Sequence, residues 1–311
     1  MNSTEPIIKQ GLRIKDTYLK EVLEGKALLK SDGAMGTMLQ DYGLATKGEL
    51  PDLYNFTNPD VIVSIHKAYV DAGSQIVATN TFRSNALKLE AAAKQFPSNN
   101  AFEITVESIY KAAAENVRKA GARYIAGDVG PIGEMIEPYG DLEIEEAYEL
   151  YAQQMKAIEA AGCDVILIET ETSLEEIKLA IRAAKDATSL PVFASMTFNE
   201  NGRTFMGDSI EDAAETFNEL EVQMAGMNCT LGPKEMLPLV EKMGKLLKCP
   251  LIAQPNAGMP QLVNGATVYQ ITAKVFAEQM KAIVKAGAKM IGGCCGTTPE
   301  FISALNLIEL N

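Results

Sequence analysis

Short apolar, β-prone runs alternate along the chain with longer stretches whose apolar residues recur every three or four positions. The runs fall at 27–30, 75–79, 124–127, 164–168, 192–196, 223–227, 250–253 and 289–291. Between them, stretches such as Leu150-Tyr151…Met155…Ile158 and Val275-Phe276…Met280…Ile283-Val284 carry the spacing of an amphipathic helix. Four Ala-Gly pairs (Ala72-Gly73, Ala120-Gly121, Ala161-Gly162 and Ala286-Gly287) each close a helical run just before a strand. Glycine there supplies the left-handed backbone that ends a helix. Eight strand–helix units predict an α/β fold of the (β/α)8 TIM barrel type. A doubly wound open sheet is the competing architecture, but no Gly-x-Gly-x-x-Gly follows the first strand to support it. Residues 1–26 read as an N-terminal helical extension with Ile14, Leu19, Val22 and Leu23 on one face, and 27–311 as one barrel domain. Long loops after the first strand and around 131–142 are expected to shape a substrate pocket.

Composition narrows the chemistry. The 311 residues are 47% hydrophobic and 22% charged, which is ordinary for a globular chain with a large core. With 28 basic and 41 acidic residues the net charge is −13, which argues against a nucleic-acid partner. No basic segment leading into an apolar stretch opens the sequence, and no apolar run approaches the roughly 18 residues that cross a bilayer. A soluble, cytoplasmic protein with no membrane partner is therefore expected. Five cysteines, an odd number, fit reduced thiols used for metal binding or catalysis better than a disulfide framework. There is one histidine, His66, on a predicted helix, where packing or surface exposure is its expected role. Histidine-based triads and multi-histidine metal sites are correspondingly disfavoured.

In a barrel every strand opens onto one face at its C-terminal end, where active sites lie. The residues that follow the runs are Asp32-Gly33-Ala34-Met35-Gly36-Thr37, Asn80-Thr81-Phe82, Asp128-Val129-Gly130-Pro131, Glu169-Thr170 and Thr197-Phe198. After the last three come Asn228-Cys229, Gln254-Pro255-Asn256-Ala257-Gly258 and Gly292-Gly293-Cys294-Cys295-Gly296. Cys229, Cys294 and Cys295 thus converge from separate strand ends. Three thiolates leave one position open on a tetrahedral Zn²⁺, the arrangement of a catalytic zinc. A vicinal disulfide between Cys294 and Cys295 is the alternative, although it leaves Cys229 without a role. Cys163 and Cys249 read as small buried hydrophobes. The Asp32–Gly36 loop is either a tight turn or a nest of backbone N–H groups for a carboxylate, with Met35 in that loop. Glu169 pairs either with a neighbouring Arg or Lys or with a substrate ammonium. Asn256 is a turn residue or an amide at the barrel mouth.

Taken in order over roughly residues 25–305, these motifs resemble those of the homocysteine S-methyltransferase family. They include Ser195-Met196-Thr197-Phe198, Asn228-Cys229-Thr230-Leu231-Gly232-Pro233 and Gly292-Gly293-Cys294-Cys295-Gly296-Thr297-Thr298-Pro299. The resemblance implies a zinc-dependent barrel that methylates homocysteine to methionine. It implies that Cys229, Cys294 and Cys295 hold the zinc, and that Asn256 lines the metal site. Asp32, Gly33, Ala34, Met35, Thr81 and Glu169 would contact the amino-acid substrate. Within the family the wording is similar to the homocysteine module of cobalamin-dependent methionine synthase. The expected methyl donor is therefore a methylcorrinoid (methylcobalamin) on a separate protein. The alternatives are a free donor such as S-methylmethionine, S-adenosylmethionine or betaine, or a catalytically silent zinc- or thiol-binding subunit. Two positions depart from the family wording: Gly127, where alanine is more usual, and Ser173, where aspartate is common.

Overall fold

The computed structural model describes residues 11–44, 49–94, 102–263 and 266–308. Runs such as Val165-Ile166-Leu167-Ile168 are buried on both faces and pair in parallel, as β-branched and aliphatic residues do between helices and a barrel interior. The strands are β1 (Leu29–Lys30), β2 (Ile76–Ala78), β3 (Tyr124–Val129), β4 (Val165–Glu171), β5 (Val192–Met196), β6 (Met224–Asn228), β7 (Leu251–Gln254) and β8 (Ala288–Ile291). They form one sheet in the order β1-β8-β7-β6-β5-β4-β3-β2. Between β1 and β2 Gln75 makes two of the hydrogen bonds that close the barrel. The Gln75 N–H donates to the Lys30 carbonyl at 2.7 Å, and the Gln75 side chain accepts from the Lys30 N–H at 2.9 Å. The same device recurs ahead of β4 and β6, where Asp164 accepts from the Ile125 N–H and Gln223 from the Val192 N–H.

Each strand is followed by a helix that packs outside it, among them Pro59–Asp71, Val106–Lys119, Ile144–Ala160 and Leu174–Ala187. The four Ala-Gly pairs end helices as expected, with Gly73, Gly121, Gly162 and Gly287 at φ values of 106, 83, 76 and 116°. Apolar residues divide into two cores. One lies between strands and helices and includes the buried Cys163. His66 is fully buried on the Pro59–Asp71 helix, whose Ile62, Ile65 and Tyr69 belong to that core. The other fills the barrel with Leu29, Ile76, Tyr124, Leu167, Phe193, Met224, Ile252 and Met290.

The N-terminal segment joins this inner core. Helix α1 (Thr17–Leu23) inserts Leu19, Val22 and Leu23 beneath it and seals the bottom of the barrel. Asp16 caps α1 through the Leu19 N–H at 2.8 Å and accepts the Tyr124 hydroxyl at 2.6 Å, which pins the helix to β3. Residues 1–10 of the expected extension lie outside the described residues.

Some element bounds differ from the pattern-based expectation. β1 shortens to Leu29–Lys30, while β3 runs on to Val129 through the pairs Asp128↔Leu167 and Val129↔Ile168, and β4 to Glu171 through its pairing with Met196 on β5. Asp128 and Glu169 therefore stand on the strands. Met35 does not lie in a loop; it opens the helix Met35–Asp41. A hairpin of Gln261–Val263 and Ala266–Val268 follows β7. Among the described residues no helix is long and apolar enough to cross a membrane.

Candidate active site

Side chains alternate along a strand, so the residues pointing into the barrel follow a period of two. On β3 they are Tyr124, Ala126 and Asp128; on β4 Val165, Leu167 and Glu169; on β6 Met224, Gly226 and Asn228. Each inward row begins apolar at the bottom and ends polar at the top. The interior is thus dry below and chemically equipped at its C-terminal mouth.

Two thiol-bearing loops meet there. The Cys229 N–H continues the β6 ladder by donating to the Gln254 carbonyl at 3.0 Å, after which Cys229 and Thr230 turn through φ 59 and 61°. Left-handed backbone at two successive non-glycine residues is costly and marks a constrained site. The loop after β8 is stitched to the loop after β7: the Cys294 N–H donates to the Pro255 carbonyl at 2.8 Å, and the Ala257 N–H to the Cys295 carbonyl at 3.0 Å. Thr297 locks the turn from behind, its hydroxyl donating to the Cys294 carbonyl at 2.7 Å. A Cβ at Gly33 or Gly293 would meet that hydroxyl at 2.6 or 2.4 Å, which is why both positions are glycine.

The sulfurs of Cys229, Cys294 and Cys295 lie within 4.8 Å of one another, and Cys229 and Cys295 are 3.8 Å apart. A tetrahedral ion with metal–sulfur bonds of about 2.3 Å spaces its ligands about 3.8 Å apart, so the donor set fits zinc. All five cysteines are free thiols, including the vicinal pair. Without an ion the three share negative charge unequally. Hydrogen bonds from Cys229 and Cys294 pull Cys295 down to about 3, while its contact with Cys229 pushes Cys294 well up. Cys163 and Cys249, by contrast, are each pushed up to about 12 by burial.

Three carboxyls share the mouth. Asp32 is buried at the end of β1, accepting from the Ala78 N–H at 3.0 Å and the Ser31 hydroxyl at 2.9 Å, so it also braces β1 against β2. Burial pushes Asp32 up to about 6 and Glu169 to about 8, the latter further raised by Asp32 and Cys295. Asp128 is driven well above its ordinary value by burial and then by Glu169. None of the three has an ion-pair partner among the described residues.

The other sequence-identified residues divide. Asn256 is buried beside the cysteine loops with its side-chain oxygen unpartnered. The Ala34 N–H already donates to the Thr297 hydroxyl at 3.2 Å. Thr81 is fully buried behind β3, its hydroxyl 2.8 Å from the Asp128 carbonyl and 2.7 Å from Thr79. Sequence reasoning gave no role to Asn228 or Asp128. The signal that finds them is the period-two row running up from the apolar interior.

A groove of about 730 Å³ opens beside the mouth, between Phe82, Arg83, Lys88, Ile132, Thr170 and Thr172.

The sequence profile of homocysteine S-methyltransferases matches residues 29–308, from β1 to the last helical turn. The chain belongs to the homocysteine S-methyltransferase family. Methionine synthases of Mycobacterium leprae (strain TN) and Mycobacterium tuberculosis (strain ATCC 25618 / H37Rv) are each 31% identical to it, over 301 and 298 residues. Those alignments cover 92% of this chain but 24% and 25% of the relatives, so the chain spans about a quarter of their length. The Escherichia coli homocysteine methyltransferase MmuM superposes with a TM-score of 0.76 in its oxidized form and 0.75 in its metallated form. The two forms share 23% and 22% identity with this chain, cover 94% and 93% of it and each match over 99% of their own length, which establishes the common fold.

The two departures from family wording have structural explanations. A Cβ at Gly127 would lie 2.4 Å from Ile158, so the glycine makes room on the helix side of β3, away from the site. Ser173 caps the helix Leu174–Ala187 by accepting from the Glu176 N–H, as aspartate would.

Proposed function

We propose that this family member transfers a methyl group to the thiol of homocysteine, forming methionine, with zinc held by Cys229, Cys294 and Cys295. The observation that carries the reading is the presence in one barrel mouth of a three-thiol cluster and buried carboxyls that have no cationic partner among the described residues. Zinc, when bound, supplies the positive charge that keeps a substrate thiol deprotonated at neutral pH, where a free thiol is only a few per cent ionised.

The protein's own groups do the rest. Glu169 and Asp32 receive the substrate ammonium, which offsets the charge that burial penalises. The Gly33-Ala34 turn and the helix start at Met35 lie beside Asp32 and would face the carboxylate end. Asn256 borders the sulfur with its free amide oxygen. The barrel floor excludes water, so the sulfur meets the donor with a fixed approach. A sulfur–methyl bond forms as the donor–methyl bond breaks, the bonding pair leaving with the donor. No protein base is needed at that step, and His66, fully buried in the outer core, offers none.

The donor we favour is a methylcorrinoid on a separate protein, following the resemblance of the motifs to the homocysteine module of cobalamin-dependent methionine synthase. Purified zinc-loaded protein, given homocysteine and a panel of methylcobalamin, S-methylmethionine, S-adenosylmethionine and betaine, forms methionine with one of them. Failure with all four rejects the enzymatic reading. Cys229→Ala is expected to lose stoichiometric zinc and activity together, whereas Cys249→Ala keeps both; full activity in Cys229→Ala excludes the ligand assignment.

A further inference from the structure

Asn228 is 1% exposed, and every hydrogen-bonding position of its amide is occupied. Its Oδ1 accepts from the Ser195 hydroxyl at 2.8 Å and from the Thr170 N–H at 2.9 Å. Its Nδ2 donates to the Thr170 hydroxyl at 2.7 Å and to Glu169 Oε2 at 3.3 Å. Two acceptor and two donor contacts exhaust a primary amide, and they fix which end is oxygen. The side chain reaches from β6, across Ser195 on β5, to β4, two strands away.

Its chain neighbours are informative. Cys229 directly follows Asn228, and Glu169 directly precedes Thr170. Cys229, at φ 59°, and Thr170, at φ 64°, both adopt left-handed backbone, which a β-branched threonine avoids unless its surroundings impose it. One amide thus ties two strained turns together, one presenting a thiol ligand and the other a carboxylate.

We infer that Asn228 is a specificity-determining positioning residue, a ruler that fixes the distance between the substrate's sulfur and its ammonium. The inference rests on the proposed homocysteine reading, in which sulfur docks at the cysteine cluster and the ammonium at Glu169. Homocysteine has two methylenes between its thiol and its α-carbon, and cysteine has one. With both anchors fixed through Asn228, the shorter thiol cannot engage both at once. Without the amide, the turns at Thr170 and Cys229 relax and the span loosens.

The test measures binding of L-homocysteine, L-cysteine and 4-mercaptobutyrate to the zinc-loaded full chain by calorimetry, alongside zinc content. 4-Mercaptobutyrate keeps the sulfur-to-carboxylate length of homocysteine but lacks the ammonium. In Asn228→Ala the preference for homocysteine over cysteine is expected to fall about tenfold, the scale of a lost hydrogen bond to a charged group. Zinc content and 4-mercaptobutyrate affinity are expected to stay at parent values. Thr170→Val, which removes only the hydroxyl that the amide grips and lies off the metal loop, should move the same ratio in the same direction. It decides the matter alone if Asn228→Ala loses zinc. An unchanged homocysteine-to-cysteine ratio in Thr170→Val, or in a zinc-replete Asn228→Ala, overturns the ruler. A parent protein that takes up zinc but binds none of the three thiols overturns the methyltransferase reading instead.

Discussion

Tyr151 has one hydroxyl proton, yet it lies 3.1 Å from a Glu171 oxygen and 3.0 Å from a Glu176 oxygen, both buried. Both contacts can be hydrogen bonds only if one carboxyl donates. Glu176 also accepts from the Ile132 N–H at 2.7 Å, which favours its ionised form. Glu171 is fully buried, its second oxygen has no partner, and burial followed by the charge of Glu176 pushes it well above its ordinary value. Glu171 is therefore the protonated member. A carboxyl raised in the folded state stabilises the fold fully below the ordinary glutamate range, and that contribution is lost as pH rises through the folded value. Glu171→Gln keeps the shape and cannot ionise. It is expected to melt higher than the parent at pH 8, the difference shrinking to nothing near pH 4. A melting-temperature series across that interval checks it, and equal slopes for the two proteins place the proton elsewhere.

At the level of elements, α1 has the most specific structural role for its size. It closes the barrel from below, and Leu19 is wholly buried against the inner strand residues. Leu19→Ala should cost about 2–5 kcal/mol, as truncation at a core site that cannot collapse does. Urea denaturation midpoints measure the loss, and zinc content at the far end of the barrel should be unaffected. The amphipathic face of this helix was legible in the sequence, as were the barrel and the convergence of three cysteines, because strand spacing and Ala-Gly punctuation are local signals. The upper ends of β3 and β4 were not, since Asp128 and Glu169 interrupt the apolar runs that mark a strand. Ala34-Met35-Gly36-Thr37 read as loop because glycine breaks helical spacing, yet the chain turns into a helix at Met35. Asn228 went unassigned for a different reason. Its importance comes from contacts with β4 and β5, and no local pattern encodes a partner two strands away.

For the whole molecule, the sealed floor leaves the top of the barrel as the way to the site. In the proposed reaction homocysteine occupies the mouth, whereas a methylcorrinoid donor must bring a much larger body to its edge. The groove beside Thr170 adjoins the residue that follows Glu169, and its walls combine apolar Phe82 and Ile132 with the basic side chains of Arg83 and Lys88. Glu49 shares that lining, so on a chain of net charge −13 the groove carries a small excess of positive charge, and the proposed methylcorrinoid donor would place its nucleotide phosphate there. Lys88 is partly committed to Glu134 at 2.8 Å, which leaves Arg83 the more available cation. Ala91 lines the groove from an exposed position on the helix Ala86–Ala93, so Ala91→Trp fills the space without disturbing the core. That variant is expected to lower kcat/KM for the donor about tenfold, equivalent to roughly 1.4 kcal/mol, by excluding its non-reacting body. Homocysteine affinity and zinc content should match the parent. A loss of homocysteine affinity instead would assign the groove to the acceptor side, and unchanged donor kinetics would mean that the methyl group arrives by another route over the mouth.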